Sequence, residues 1–195
     1  MDADLERRFV DTFSSWLISL PYDLKILYEA SSDENLDRDS RELATGAVIY
    51  AVSPNDFINA DRNDFLSYCD DCILVRLALR QIVSKDDEDS QFFKSRFEDF
   101  FGTLDDELSV CKEAMGETYT WLESKVGLLK GLEYKGKKVP DYLDDDEAGE
   151  FLYEEGLGFA TEYPVDEETL GDKLKKATTI LEVMVRRKAE DDAKK

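Results

Sequence analysis

Apolar residues recur three or four positions apart through most of this chain, and this pattern constrains the fold more than any other feature. The first segment of this kind carries Leu5, Phe9, Phe13, Trp16 and Leu17. No segment alternates apolar and polar residues over a full strand length. Only 4 Pro and 10 Gly interrupt the 195 residues, which favours long helices. The sequence therefore predicts a mainly α fold.

The acidic run at residues 86–89 marks a boundary in the pattern. Before it, residues 1–85 are predicted to form a helical bundle-like module. After it, residues 86–195 are predicted to form an additional helical portion. A chain of this length is typical of one domain with or without an appendage, so we expect the two parts to pack as one globular unit.

Breaker residues indicate where the predicted helices end. Pro21 is predicted to end the first helix, because proline has no backbone N–H to continue the hydrogen-bond ladder. One small hairpin is predicted at Lys135 and Gly136, in a connection rich in Lys and Gly. The last helix is predicted over residues 166–188, with acids in its first turn and bases in its last.

Five aromatic residues follow the acidic run at helical spacing. Such a stripe is typical of a helix face that is buried in the core. We predict that it is part of the core and not a ligand site. The stripe consists of Phe92, Phe93, Phe97, Phe100 and Phe101.

The charge of the chain excludes several classes of function. There are 46 Asp and Glu against 25 Lys and Arg, no His, and a net charge of −21. Without imidazole, Ser-His-Asp and Cys-His nucleophile pairs are excluded. The acidic balance argues against direct nucleic-acid binding and against attachment to anionic lipid, which both need clustered cations. No apolar run is long enough for membrane insertion.

The three cysteines Cys69, Cys72 and Cys111 form no disulfide framework and are typical of a reducing compartment. Cys69 and Cys72 make a CxxC pattern. The carboxylates between them would raise the pKa of a thiol, which disfavours a redox role. We therefore predict a cytoplasmic protein in which these cysteines are core residues.

Residues 43–83 contain the most specific motif of the chain. An apolar helix ends in Tyr-x-x-x-Pro-x-Asp, and a Tyr-x-Asp-Asp step opens a second apolar helix after a loop. The matched positions are Tyr50, Pro54, Asp56, Tyr68, Asp70 and Asp71. This segment resembles the YkvA-like bacterial domain family, whose function is unknown. Ser67 stands where the family usually has Gly, and residues 58–61 lack the family's second Pro. The resemblance implies a compact helical module and no established chemistry.

The same residues have a structural interpretation that does not need the family. Pro54 disfavours helical geometry at the residue before it and ends the first helix. Asp56 can accept hydrogen bonds from loop N–H groups. One of Asp70 and Asp71 can cap the second helix, while the other favours its dipole. Tyr50 can place its hydroxyl against a loop carboxylate while its ring is buried.

A metal site is the functional interpretation of these carboxylates. Asp56, Asp70 and Asp71, with Asp61 or Asp64, could converge on a divalent cation such as Mg²⁺ or Ca²⁺, which prefer oxygen ligands. We favour the structural interpretation, because helix capping needs no further assumption.

Three hypotheses of function follow. The first is a non-enzymatic protein-interaction or regulatory module of the bacterial cytoplasm, with a protein partner and no cofactor. The second is a Mg²⁺- or Mn²⁺-dependent hydrolase that uses Asp56, Asp70 and Asp71. The third is an acidic mimic of nucleic acid, which rests only on the net charge and on the Asp-rich runs at residues 86–89 and 144–147.

Overall fold

The described part of the chain, residues 1–53, 64–171 and 173–194 of a computed structural model, is mainly helical, as predicted. Short 3-10 helices cover Phe65–Tyr68 and Val126–Gly131. The α-helices in these ranges are α1 (Ala3–Ser32), α2 (Arg38–Val52), α3 (Cys69–Val83), α4 (Glu88–Arg96), α5 (Glu98–Met115), α6 (Glu117–Lys125), α7 (Asp141–Asp144), α8 (Asp146–Glu162), α9 (Glu167–Gly171) and α10 (Ala177–Asp192). No helix among these residues is both long and apolar enough to cross a membrane.

The predicted hairpin is present and connects two short antiparallel strands, β1 (Glu133–Tyr134) and β2 (Lys137–Lys138). Its turn residues Lys135 and Gly136 have φ angles of 49° and 79°. Two consecutive positive φ angles are typical of the tight turns that match the twist of a hairpin. The prediction from sequence is therefore confirmed here.

Helix α1 continues through Pro21, so the prediction that Pro21 ends the first helix is wrong. Because Pro21 has no N–H, it cannot hydrogen-bond to the carbonyl of Leu17, four residues earlier. The hydroxyl of Tyr163 donates to that carbonyl at 2.6 Å. The helix therefore tolerates the proline with the help of a side chain that lies 142 residues after it.

The hydrophobic core contains residues from both predicted parts of the chain. Helices α1, α2 and α3 pack against one another, and α10 packs on α1, α3 and α6. Gly46 of α2 lies so close to the backbone carbonyl of Leu129 that a Cβ atom at this position would overlap it. This contact brings α2 and the 3-10 helix after α6 close together.

Helix α8 packs antiparallel on α1. Tyr28 near the end of α1 donates its hydroxyl to the Leu152 carbonyl at 2.6 Å, whereas Leu17 meets the residue that follows α8. Gly156 lies directly against the Tyr28 ring, and a Cβ atom there would overlap the Tyr28 hydroxyl. A glycine inside α8 therefore permits the close approach of the two helices.

Two further predictions need correction. The last helix is divided in two, because Gly171 ends α9 and Lys176 has extended backbone angles before α10 begins. The aromatic stripe is only partly in the core: Phe93 and Phe101 are buried, but Phe92 is 61% exposed. Phe92 and Phe93 are adjacent in helix α4 and therefore lie on different faces of it, and only the face with Ser90 and Phe93 is buried.

Candidate functional site

Tyr50 and Asp70 of the motif meet inside the protein. Tyr50 lies near the end of α2, and Asp70 lies in the first turn of α3. The Tyr50 hydroxyl donates to Asp70 Oδ2 at 2.5 Å, and the Tyr50 ring is fully buried. The Tyr50 ring is buried and its hydroxyl meets a carboxylate, as expected, but this carboxylate belongs to helix α3 and not to the loop.

Arg187 of α10 engages the other oxygen of the same carboxylate. Its guanidinium forms an ion pair with Asp70 Oδ1, and its second nitrogen donates to the Leu66 carbonyl at 3.0 Å. Asp70 is 1% exposed and Arg187 is 6% exposed. A carboxylate inside the protein needs such partners to replace the water that it loses on burial.

From the sequence, Arg187 was one of the basic residues in the last turn of a predicted helix, where positive charges interact favourably with the helix dipole. The structure shows that it belongs to the buried face of α10. That face also carries Ala177, Ile180 and Met184, and Arg187 continues their spacing of three or four residues. The spacing was therefore a signal for burial that sequence reasoning did not use.

The first turn of α3 contains both Asp70 and Asp71, and both are buried. Tyr68 holds the N-cap position, so the prediction that one of the two aspartates caps this helix is wrong. The side chain of Asp70 is directed at Tyr50 and Arg187. Its position in the first turn still places a negative charge near the positive end of the helix dipole.

The remaining members of the predicted metal set are only partly described. Pro54, Asp56 and Asp61 lie outside the described residues. Asp64 is exposed and precedes the 3-10 helix that leads into α3. Within the described ranges, no group of three Cys, Asp or Glu side chains is arranged to hold a metal ion. The metal interpretation stays a prediction, because it depends on Asp56.

All three cysteines are free and buried. Burial raises the pKa of the Cys69 thiol, and the carboxylates of Asp70 and Asp71 raise it further. Burial likewise raises the pKa of Cys72. Because a thiol must ionise to act as a nucleophile or metal ligand, these groups are suited to packing. The interpretation of the CxxC pattern as core is confirmed.

A second buried ion pair joins α1 to α3 and was missed by sequence reasoning. Asp23 pairs with Arg76, and both side chains are buried. Arg76 also donates to the Ser19 hydroxyl at 2.9 Å and lies 4.5 Å from the centre of the Trp16 ring. Burial raises the pKa of Asp23 to about 7, although the Arg76 charge opposes the shift. The available signal was a single acid within the apolar face of α1.

A cleft of about 570 Å³ lies beside the motif, where α8 passes the start of α3. It is lined by three aromatic rings, three carboxylate side chains and small or apolar residues. No Lys or Arg is among the described residues that line it. The lining consists of Val52, Tyr68, Glu154, Glu155, Gly158, Phe159, Glu162, Tyr163 and Pro164.

The three rings of the cleft form one cluster. The Tyr68 ring meets Phe159 edge to face, with centres 6.0 Å apart and planes at 78°. It meets Tyr163 at 4.9 Å and 66°. The rings of Phe159 and Tyr163 are 5.3 Å apart. Such edge-to-face pairs stabilise one another and keep the rings in fixed orientations.

Hydrogen bonds to other parts of the fold hold two of the lining residues. Tyr163 is anchored by its bond to the Leu17 carbonyl, and burial raises its pKa. Glu155 accepts a hydrogen bond from the Tyr134 hydroxyl of the hairpin. None of the predictions from sequence brought the side chains of α8 together with Tyr68.

Comparison of the chain with protein-family models, with curated proteins and with solved structures found no match. The resemblance of residues 43–83 to the YkvA-like family therefore stays a prediction.

Proposed function

We propose that this chain is a non-enzymatic interaction module that binds a basic segment of a partner protein. The observation that carries this proposal is the outward face of α8, which combines acidic and apolar side chains. Helix α8 contains six Asp and Glu residues and no Lys or Arg. Seven of its exposed residues are called the α8 surface here; they are Glu147, Glu150, Phe151, Tyr153, Glu154, Leu157 and Glu162.

The apolar part of this surface supports contact with a protein. Phe151, Tyr153 and Leu157 are between 36% and 51% exposed, although they are large and apolar or aromatic. Aromatic residues of this kind are enriched in protein interfaces, where their rings lose contact with water. A basic segment with apolar residues of its own would match both the charges and the apolar contacts.

The net charge supports the choice of a basic partner. At −21, the protein attracts cations over a distance comparable with the Debye length and repels other acidic molecules. Charge complementarity of this kind chiefly raises the rate of association and selects the partner. Binding is therefore expected to weaken as the salt concentration rises.

The buried polar groups support a role without catalysis. Asp70 is engaged by Tyr50 and Arg187, and Asp23 is engaged by Arg76. Asp70 of the sequence motif and Asp23 of α1 are both almost fully buried. Because each of these carboxylates is held by a partner side chain inside the fold, the pairs are suited to fixing helices against one another.

The two alternative functions have less support. A metal-dependent hydrolase that used Asp70 would need a cation to displace Arg187 from a buried ion pair. An acidic mimic of nucleic acid would use the charges alone, and the exposed apolar residues of the α8 surface would have no part in it. The cytoplasmic location stays a prediction from the cysteine content.

The proposal is tested with a capped twelve-residue peptide in which Lys and Leu alternate. Isothermal titration is expected to show binding at about 50 mM salt that weakens at least tenfold at about 500 mM. A variant with Glu150→Lys and Glu154→Lys should bind more weakly than a control with Asp106→Lys and Glu113→Lys. Both control positions are exposed on α5. Each variant replaces two acids by two lysines, so the two variants have the same net charge.

Two results would contradict the proposal. One is no binding by the wild type at low salt. The other is an equal loss in the α8 variant and the α5 control, since this would mean that only net charge matters. A variant with Phe151→Ser and Leu157→Ser separates the mimic from the interaction module. The module predicts weaker binding by this variant, and the mimic predicts no change.

A further inference from the structure

We infer that the cleft between α8 and the start of α3 binds a lysine side chain of the basic partner segment. The inference rests on the proposed function and adds a site and a ligand chemistry to it. The cleft combines a volume of about 570 Å³ with three rings and three carboxylates. An alkylammonium ion is the ligand that both kinds of group attract.

The arrangement on α8 places a ring between two carboxylates. Glu155, Phe159 and Glu162 are spaced by four and three residues, so they lie along one face of the helix. All three line the cleft. An ammonium group over the Phe159 ring would therefore have a carboxylate one turn away on either side.

The aromatic cluster suits a compact cation. Tyr68 stands at 78° to Phe159 and at 66° to Tyr163, so the rings form a corner and not a pair of parallel plates. A round ammonium group can contact both walls of a corner. A planar guanidinium stacks best on one flat face or between parallel faces. The geometry therefore favours lysine over arginine.

Two of the carboxylates that line the cleft are not paired with any cation among the described residues. Glu154 and Glu162 are exposed, and neither forms an ion pair with a described residue. In contrast, other exposed acids in the described ranges, such as Asp144 and Asp145, are paired with Arg38 and Lys137. A lysine from outside would therefore supply a positive charge that none of the described lining residues carries.

The test uses the Lys-Leu peptide with its lysines unmodified, trimethylated or acetylated. Trimethylation keeps the positive charge, and acetylation removes it, so the trimethylated peptide should bind and the acetylated one should not. Replacing Glu154 and Glu162 by Gln should weaken binding of the unmodified peptide about tenfold. The matched control, Asp106→Asn with Glu113→Gln, removes two exposed charges from α5 and should change binding less than threefold.

A ring variant tests the aromatic part of the site. Phe159→Leu keeps an apolar side chain and should weaken the trimethylated peptide more than the unmodified one, because only the ring attracts a cation through its face. Circular dichroism would establish that the variant is folded. If Phe159→Leu binds each of the two peptides as tightly as the wild type does, the role of the ring is refuted.

The remaining outcomes separate this inference from the proposed function. Glu154→Gln with Glu162→Gln could weaken binding no more than the α5 control does, while Glu150→Lys with Glu154→Lys still binds poorly. In that case the cleft assignment is wrong and the interaction module stands. If the peptide does not bind at all, both fail. If n-butylammonium alone binds as tightly as the peptide, the occupant is a small cation and not a protein side chain. Tighter binding of an Arg-Leu peptide would refute the choice of lysine.

Discussion

Replacing Tyr163 by Phe should destabilise the protein, because it removes the hydrogen bond that replaces the one lost at Pro21. The Tyr163 hydroxyl donates to the carbonyl of Leu17, a fully buried residue of α1. Phe keeps the ring and its contacts with Tyr68 and Phe159. The change therefore leaves one buried carbonyl without a donor, which costs about 1–3 kcal/mol of unfolding free energy.

The assay is urea unfolding followed by circular dichroism at 222 nm, with the free energy taken from the midpoint and slope. A matched control is Tyr153→Phe. Tyr153 is on the neighbouring helix α8 and is half exposed, so the loss of its hydroxyl should change stability by less than about 0.5 kcal/mol. A protein of this size would lose about 2–4 °C in melting temperature for each kcal/mol.

A double-mutant cycle with Pro21→Ala tests the cause. Alanine restores an N–H at position 21, which can donate to the Leu17 carbonyl within the helix. In that background, Tyr163→Phe should cost less than half of what it costs in the wild type. If the two changes are additive, Tyr163 does not compensate for the proline, and the argument is refuted.

Three further predictions follow from buried groups, and a fourth from the metal hypothesis. Arg187→Met should lower the unfolding free energy by about 3–5 kcal/mol in urea, because it leaves the buried carboxylate at the start of α3 without its cation. Burial raises the pKa of Asp23 to about 7, so only the unfolded state loses this proton between about pH 4 and pH 7. The stability that Asp23 contributes is therefore full below this range and is lost as the pH rises through it. The urea midpoints at pH 5 and pH 8 should differ less in Asp23→Asn than in wild type. Gly156→Ala should lower the unfolding free energy by about 1–3 kcal/mol, since its Cβ would displace Tyr28 from its hydrogen bond. Gly158→Ala has open space around its Cβ and should raise the unfolding free energy by up to about 1 kcal/mol. Millimolar Mg²⁺ or Mn²⁺ should leave the melting temperature unchanged, and an increase of several degrees in either ion would instead support the hydrolase hypothesis.

Local patterns were sufficient to predict the class of fold. Helical spacing predicted α2 and α3, and the tight turn at Lys135 and Gly136 predicted the hairpin. In each case the deciding interactions join residues that are close in sequence. The burial of the CxxC cysteines was predictable for the same reason, because they lie within one apolar helix.

Interactions between distant residues explain the predictions that failed. Pro21 does not end α1, because a tyrosine more than 140 residues later satisfies the carbonyl that proline leaves unpaired. Asp70 lies within the first turn of α3 and does not cap it, and its side chain instead pairs with Arg187 from a helix 117 residues later. Neither partner is visible in a local pattern. Only the packed structure shows that Tyr163 meets Leu17 and that Arg187 meets Asp70.

The same distant interactions also determine how ready the cleft is to bind. Tyr163 is held by the Leu17 carbonyl, Glu155 by the Tyr134 hydroxyl, and Tyr68 by its ring contacts. A site whose side chains are already fixed loses little conformational entropy when a ligand enters, so more of the contact energy remains as affinity. Tyr163→Phe keeps the ring but releases its anchor, and it should therefore weaken peptide binding as well as stability. The bond that allows a proline inside α1 would then also hold one wall of the lysine site in place.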